Sequence, residues 1–115
     1  MLPAAALLLQ VQTSGSYLTG AALLRACTSA AAFDRADCLG YVTGIADAIG
    51  AAQPVLRDRF AIPATVCVPP GTTRARLRDI AVAHLRQADA GAGAGAVVVE
   101  ALMHAFPCPG TEGAQ

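Results

Sequence analysis

Apolar residues recur at helical spacing in four stretches of this chain, separated by polar, proline-rich or glycine-rich stretches. A three-to-four-residue apolar repeat predicts helices at about residues 20–31, 35–52, 73–87 and 96–106. Typical N-cap residues precede the first three, namely Thr19, Asp34, and Thr72 or Thr73. The pattern predicts a small all-α domain of four helices arranged as two helical hairpins.

The stretches between these helices carry residues that interrupt regular structure. Residues 53–70 contain Pro54, Pro63, Pro69 and Pro70. Proline lacks the backbone N–H, so we expect the second helix to end just before this segment and no helix to cross it, beyond a possible turn at 55–60. The alternating Ala and Gly residues at 90–96 predict a flexible connector.

Composition narrows the classes of function. The 115 residues have room for one domain. Eight Lys plus Arg balance eight Asp plus Glu, for a net charge of zero, so the chain lacks the basic surface that nucleic-acid binding requires. Tryptophan is absent and aromatics are only 4% of the residues, which argues against an aromatic-lined ligand pocket.

The N-terminus begins with an apolar run, MLPAAALLL, that is too short for a bilayer span of about 20 residues. We interpret residues 1–16 as a short or remnant signal peptide and linker, although a basic n-region and a clear cleavage site are missing. The alternative is an N-terminal core helix or an apolar tail. We expect no stable membrane span, and a loose tail at residues 109–115.

Four cysteines in so short a chain predict a two-disulfide framework and export to an oxidising compartment. Three pairings are possible in principle. Cys27 and Cys38 lie at facing ends of the first two predicted helices, and Cys67 and Cys108 flank the last two. In antiparallel hairpins these ends lie side by side, so we predict the pairs Cys27–Cys38 and Cys67–Cys108.

Candidate catalytic and metal-binding residues are few. Cys67, His84, His104 and Cys108 include donor types that zinc uses, but Pro107 interrupts the helix between the last two and no other paired spacing occurs. We therefore treat the histidines as structural or surface residues and predict no metal and no cofactor. The sequence contains no known nucleophile or phosphate-loop motif, so we expect a protein that is not an enzyme.

Gly40 and Gly44 form a GxxxG spacing inside the second predicted helix. Each glycine costs about 1 kcal/mol relative to alanine in a helix. We therefore expect another helix of the domain to pack closely there. The alternative is a self-association face, which would produce a homodimer.

Several longer motifs resemble one protein family. These are YLTG at 17–20, CLGYVTGIADA at 38–48, CVP at 67–69 and ALMHAFPC at 101–108. Together they resemble the Rap/Tai family of type VI secretion immunity proteins, and the likeness spans residues 17–108. It implies an exported, all-helical periplasmic protein whose partner is a peptidoglycan amidase effector. Such a protein binds the toxin and blocks its active-site cleft. The alternative function is a periplasmic helical structural or interaction module without toxin-neutralising activity.

The partner-binding residues are expected on the proline-bounded segment between the second and third helices. An inhibitor that plugs a cleft needs a protruding segment, and arginine and aromatic residues dominate interface energetics. We predict that Arg57, Asp58, Arg59 and Phe60 contact the toxin. The alternative is that Phe60 and Ile62 fold under this segment as core and leave the arginines in solvent.

Overall fold

The computed structural model describes residues 16–110, and these residues form helices with no β-strand. The helices are α1 (Gly20–Cys27), α2 (Ala32–Phe60), α3 (Arg74–Leu85) and α4 (Ala94–Ala105). Each helix packs against the other three. The prediction of a four-helix all-α domain is confirmed.

Two of the three predicted N-caps are confirmed and one is wrong. Thr19 and Thr73 cap α1 and α3, and their hydroxyl oxygens accept hydrogen bonds from backbone N–H groups three residues on. Helix α2 instead begins after Ala31 without a side-chain cap. Asp34 lies within its first turn and accepts a hydrogen bond from the Ser29 hydroxyl at 2.8 Å. Ser29 also binds the Ala31 N–H, so this serine organises the turn that Asp34 was expected to start.

Helix α2 is longer than predicted, because it continues through Pro54 and ends at Phe60. The expectation that no helix crosses residues 53–70 was wrong. Proline removes one helical hydrogen bond and crowds the carbonyl four residues earlier. Here that earlier residue is Gly50, and both positions are exposed, so no packed side chain adds to the crowding.

The glycine-rich connector is shorter and more ordered than predicted. Helix α4 begins at Ala94, and the preceding Gly93 pairs with Thr19 in an isolated antiparallel bridge. The Ala94 N–H donates to the Leu18 carbonyl at 2.8 Å, and the Gly20 N–H donates to the Ala92 carbonyl at 2.6 Å. These bonds hold the connector against the start of α1.

The core lies where the four helices meet. Its most deeply buried large side chains are Leu23, Val42, Val98 and Leu102. The predicted disulfides are both present, Cys27–Cys38 and Cys67–Cys108, each with a Cα–Cα distance of 5.0 Å. Helix α1 ends at Cys27, earlier than predicted, and the first disulfide joins that end to the second turn of α2.

Gly40 and Gly44 do not support a close helix–helix contact. A Cβ atom built at either glycine meets no atom of residues 16–110 within 4 Å, and both glycines are exposed. The expectation of close packing there was wrong. At about 100° per residue, the two glycines lie roughly opposite Cys38 and Val42, the residues that α2 buries.

A helix that spans a bilayer needs about 20 consecutive, mostly apolar residues. Within residues 16–110, no helix is both long enough and apolar enough to cross a bilayer.

Candidate partner-binding site at the end of helix α2

The last part of α2 and the residues after it stand clear of the core. Every residue from 54 to 63 is exposed, and we call this segment the α2 tip. Four of its side chains are large and apolar, namely Val55, Leu56, Phe60 and Ile62. Phe60 is 65% exposed and Ile62 is 47% exposed, so neither folds under the segment as core. Exposed apolar side chains gathered in one place indicate an interaction surface.

The apolar face of α2 extends past the part of the helix that packs in the core. Cys38, Val42 and Ile49 follow one face of the helix at three-to-four-residue steps, within about 40° of one another. Leu56 and Phe60 fall on the same face, but there the other helices no longer cover it. The tip therefore presents a core-like face without a partner among the described residues.

The structure places the four predicted contact residues together in one helical turn. Arg57 and Asp58 form an exposed ion pair at 3.2 Å, which is worth little in stability. Arg59 makes no ion pair with any residue in the range 16–110. Consecutive helical residues point in different directions, so these four side chains ring the helix end rather than share one face.

The Gln53 side chain links the start of the α2 tip to the chain that follows the tip. The Gln53 amide oxygen accepts hydrogen bonds from the Thr65 and Val66 N–H groups, both at 3.0 Å. Its NH₂ group donates to the Val66 carbonyl at 2.9 Å. Val66 is buried, so Gln53 ties the chain after the tip back onto α2 at a point fixed in the core.

The turn out of α2 is formed by a residue in the left-handed region. Ala61 has φ 54°, and its N–H donates to the Arg57 carbonyl at 3.1 Å. It is the only non-glycine residue with positive φ among residues 16–110. This conformation costs an L-residue about 1–2 kcal/mol, and such strain clusters at functional sites.

The base of the tip is covalently fixed. The Cys67–Cys108 disulfide joins the segment after the tip to the end of α4, and the Cys67 N–H donates to the Phe106 carbonyl at 2.8 Å. Arg57, Ala61 and Pro63 line a shallow open depression above this disulfide. The tip therefore projects from a rigid base.

Sequence reasoning named Arg57 to Phe60 but missed Gln53, Leu56 and Ala61. Leu56 had a readable signal, since it continues the helical apolar repeat past Pro54. The contacts of Gln53 join residues 12 and 13 positions apart, and the left-handed backbone of Ala61 is unusual for alanine. Neither carries a local signature.

The chain matches a known protein family. A family model described as Rap1a immunity proteins matches residues 19–108, which includes both disulfides and the α2 tip. No curated protein and no solved structure matches the chain.

Proposed function

Because the chain belongs to the Rap1a immunity protein family, it is a toxin-immunity protein, and we propose that its target is a peptidoglycan amidase. In this proposal the protein binds an amidase that a neighbouring bacterium injects by type VI secretion. The α2 tip enters the toxin's active-site cleft and excludes the peptidoglycan substrate. The function is binding and occlusion rather than catalysis.

The proposal that the α2 tip contacts the toxin is supported by the exposed apolar face at the end of α2. Leu56 and Phe60 continue the core-facing stripe into solvent, between two exposed arginines. Buried aromatic and arginine side chains supply most of the energy of typical interfaces. Because the tip is already folded and braced by Gln53, binding requires little further ordering of the chain.

The arrangement of the side chains favours a concave partner. Arg57, Asp58, Arg59 and Phe60 point to different sides of one helical turn, so a flat surface could reach only some of them. A cleft that surrounds the helix end could contact all four. A peptidoglycan amidase holds a glycan-linked peptide in such a cleft, which fits the proposed target.

We place the encounter in the bacterial periplasm. Disulfides persist in oxidising compartments, and the described chain contains two of them. Peptidoglycan, the substrate of the proposed toxin, also lies in that compartment. An immunity protein has to be present where the toxin acts.

The test is a binding and inhibition assay with a type VI amidase effector from the same genome. The Arg57→Ala/Arg59→Ala double variant and Phe60→Ala should each weaken binding by at least about 30-fold, or 2 kcal/mol. Both should melt at the wild-type temperature, because these side chains are exposed. Cells that express either variant should lyse when the amidase is directed to their periplasm.

The chain offers matched controls away from the tip. Phe33 is 75% exposed near the opposite end of α2. It lies about 40 Å from Phe60 at 1.5 Å per residue, so Phe33→Ala should bind normally. The matched control for the double variant is Arg76→Ala/Arg86→Ala. It removes two exposed arginines, one within α3 and one at the C-cap position of α3. Wild-type affinity in both tip variants would show that the toxin binds elsewhere, and failure to inhibit any amidase would reject the proposed target.

A further inference from the structure

Helices α3 and α4 bring together the only two histidines of the chain. His84 lies in the last turn of α3 and His104 in the last turn of α4, with ring centroids 5.4 Å apart. Glu100 lies one turn before His104, and its carboxylate oxygen is 4.0 Å from the His104 Nε2 atom. None of these residues belongs to the α2 tip, and the proposed toxin contact does not use them.

We propose that His84, Glu100 and His104 form a binding site for a divalent transition metal of the zinc class. One ligand atom from each residue lies within 4.8 Å of the other two. Neighbouring ligand atoms around a tetrahedral zinc ion, with bonds of about 2.0–2.1 Å, are about 3.3 Å apart. Small rotations of the side chains would bring the ligand atoms to that spacing. The Glu100 and His104 side chains are 65% and 62% exposed, so they have room to rotate.

The donor set selects the class of metal. Two imidazole nitrogens and one carboxylate suit Zn²⁺, Cu²⁺ or Ni²⁺, whereas Mg²⁺ and Ca²⁺ require mostly oxygen ligands. Three protein ligands leave a fourth tetrahedral position for water. The exposed side chains leave that position on the solvent side of the cluster.

The placement of the ligands predicts a stabilising role. Glu100 and His104 are i and i+4 on α4, so one helix already presents them on one face. His84 comes from α3, and the two helices are in direct contact. A metal bound to all three would clamp α3 to α4. Because the unfolded chain does not hold the ligands together, binding would stabilise the folded state by mass action.

The expected result is one saturable Zn²⁺ site per chain. Tag-free protein, treated first with a chelator, is titrated with Zn²⁺ alone by isothermal calorimetry. Loss of a residue that only supports a metal ligand costs 10–100-fold in affinity, so loss of a ligand should cost at least about tenfold. His84→Ala, His104→Ala and Glu100→Gln should each show that loss. Asp79→Asn removes a different exposed carboxylate and should bind as wild type does.

Thermal melting gives an independent readout. Saturating Zn²⁺ should raise the Tm of the wild-type protein by at least about 5 °C, since a domain of this size shifts by about 4–8 °C per kcal/mol. The same concentration of Mg²⁺ should not change it. His84→Ala should lose the zinc-dependent shift while keeping the wild-type Tm in chelator. His84→Gln serves as a second variant if the alanine variant does not fold.

Three outcomes would overturn the proposal. The first is no saturable binding at millimolar Zn²⁺. The second is full affinity in His84→Ala, which would mean that α4 alone holds the ion. The third is half an ion per chain together with a zinc-dependent dimer, which would mean that the metal joins two copies instead of two helices.

Discussion

Replacing Gln53 by alanine should both destabilise the domain and loosen the α2 tip. The Gln53 side chain makes three hydrogen bonds to the backbone of Thr65 and Val66, at 2.9–3.0 Å. Val66 is only 5% exposed, so its N–H and carbonyl would lose their partner in a place that solvent reaches poorly. The N–H of Thr65 is on an exposed residue and can turn to water instead.

The expected loss of folding stability follows from the difference in burial between Val66 and Thr65. A typical hydrogen bond contributes a net 0.5–1.5 kcal/mol, so three bonds bound the loss at about 1.5–4.5 kcal/mol. Because Thr65 can recover its bond from solvent, we expect about 2–3 kcal/mol. For a domain of this size that lowers the Tm by about 10–20 °C. This loss is a large fraction of the free energy of unfolding, which is typically about 5–15 kcal/mol.

The assay combines calorimetric melting with amide hydrogen exchange. Gln53→Ala should show the lower Tm and faster exchange at the Val66 amide, which Gln53 protects. Gln87→Ala is the matched control, because Gln87 is exposed and its side chain makes no hydrogen bond with residues 16–110. A Gln53→Ala protein that melts within about 2 °C of wild type, with Val66 exchange unchanged, would refute the reasoning.

Three further changes have expected outcomes that thermal melting can check. Gly44→Ala fills open space on an exposed helix face and should raise stability by about 0.5–1 kcal/mol, whereas a loss would show that a second copy packs there. Thr73→Ala removes the cap of α3 and should cost about 1 kcal/mol. Cys67→Ala with Cys108→Ala opens a loop of 41 positions and should cost about 4 kcal/mol. Wild-type stability in either of the last two would contradict the assigned role.

Much of the scaffold could be predicted because it depends on local rules. The caps of α1 and α3 are threonines directly before an apolar repeat, and both accept the expected hydrogen bonds. The disulfides were predicted from cysteines near helix ends, and both pairs are present. The antiparallel arrangement expected of the last two helices is not what joins the second pair, because the last turns of α3 and α4 lie side by side at His84 and His104. The cap predictions needed only the residue preferences at the start of a helix.

The length of α2 could not be predicted by a local rule. Pro54 usually ends a helix, yet residues 55–60 remain helical. What holds them lies outside the segment, in the bonds between Gln53 and Val66 and in the Ala61 turn. Proline's cost of about 3 kcal/mol is comparable to what such contacts supply, so tertiary structure decided the outcome.

The prediction of close helix packing at Gly40 and Gly44 was wrong, although the positions of these residues around the helix argue against it. Gly40 and Gly44 lie about 200–240° around the helix from Cys38, which places them away from the apolar stripe. The GxxxG spacing suggested a close contact without showing which side of the helix has a neighbour. The same projection places Phe60 about 40° from Cys38, on the core-facing side but beyond the core.

Helix α2 thus serves two purposes along its length, and the boundary between them is Gln53. Before Gln53, the helix packs its apolar face on α1, α3 and α4. After it, the same face is exposed. Residues that do not share partners contribute to stability almost independently, so changes at Phe60 should alter partner binding with little effect on the core. Gln53 should affect both stability and binding, because this half-buried side chain ties the chain after the tip to α2 at the buried Val66.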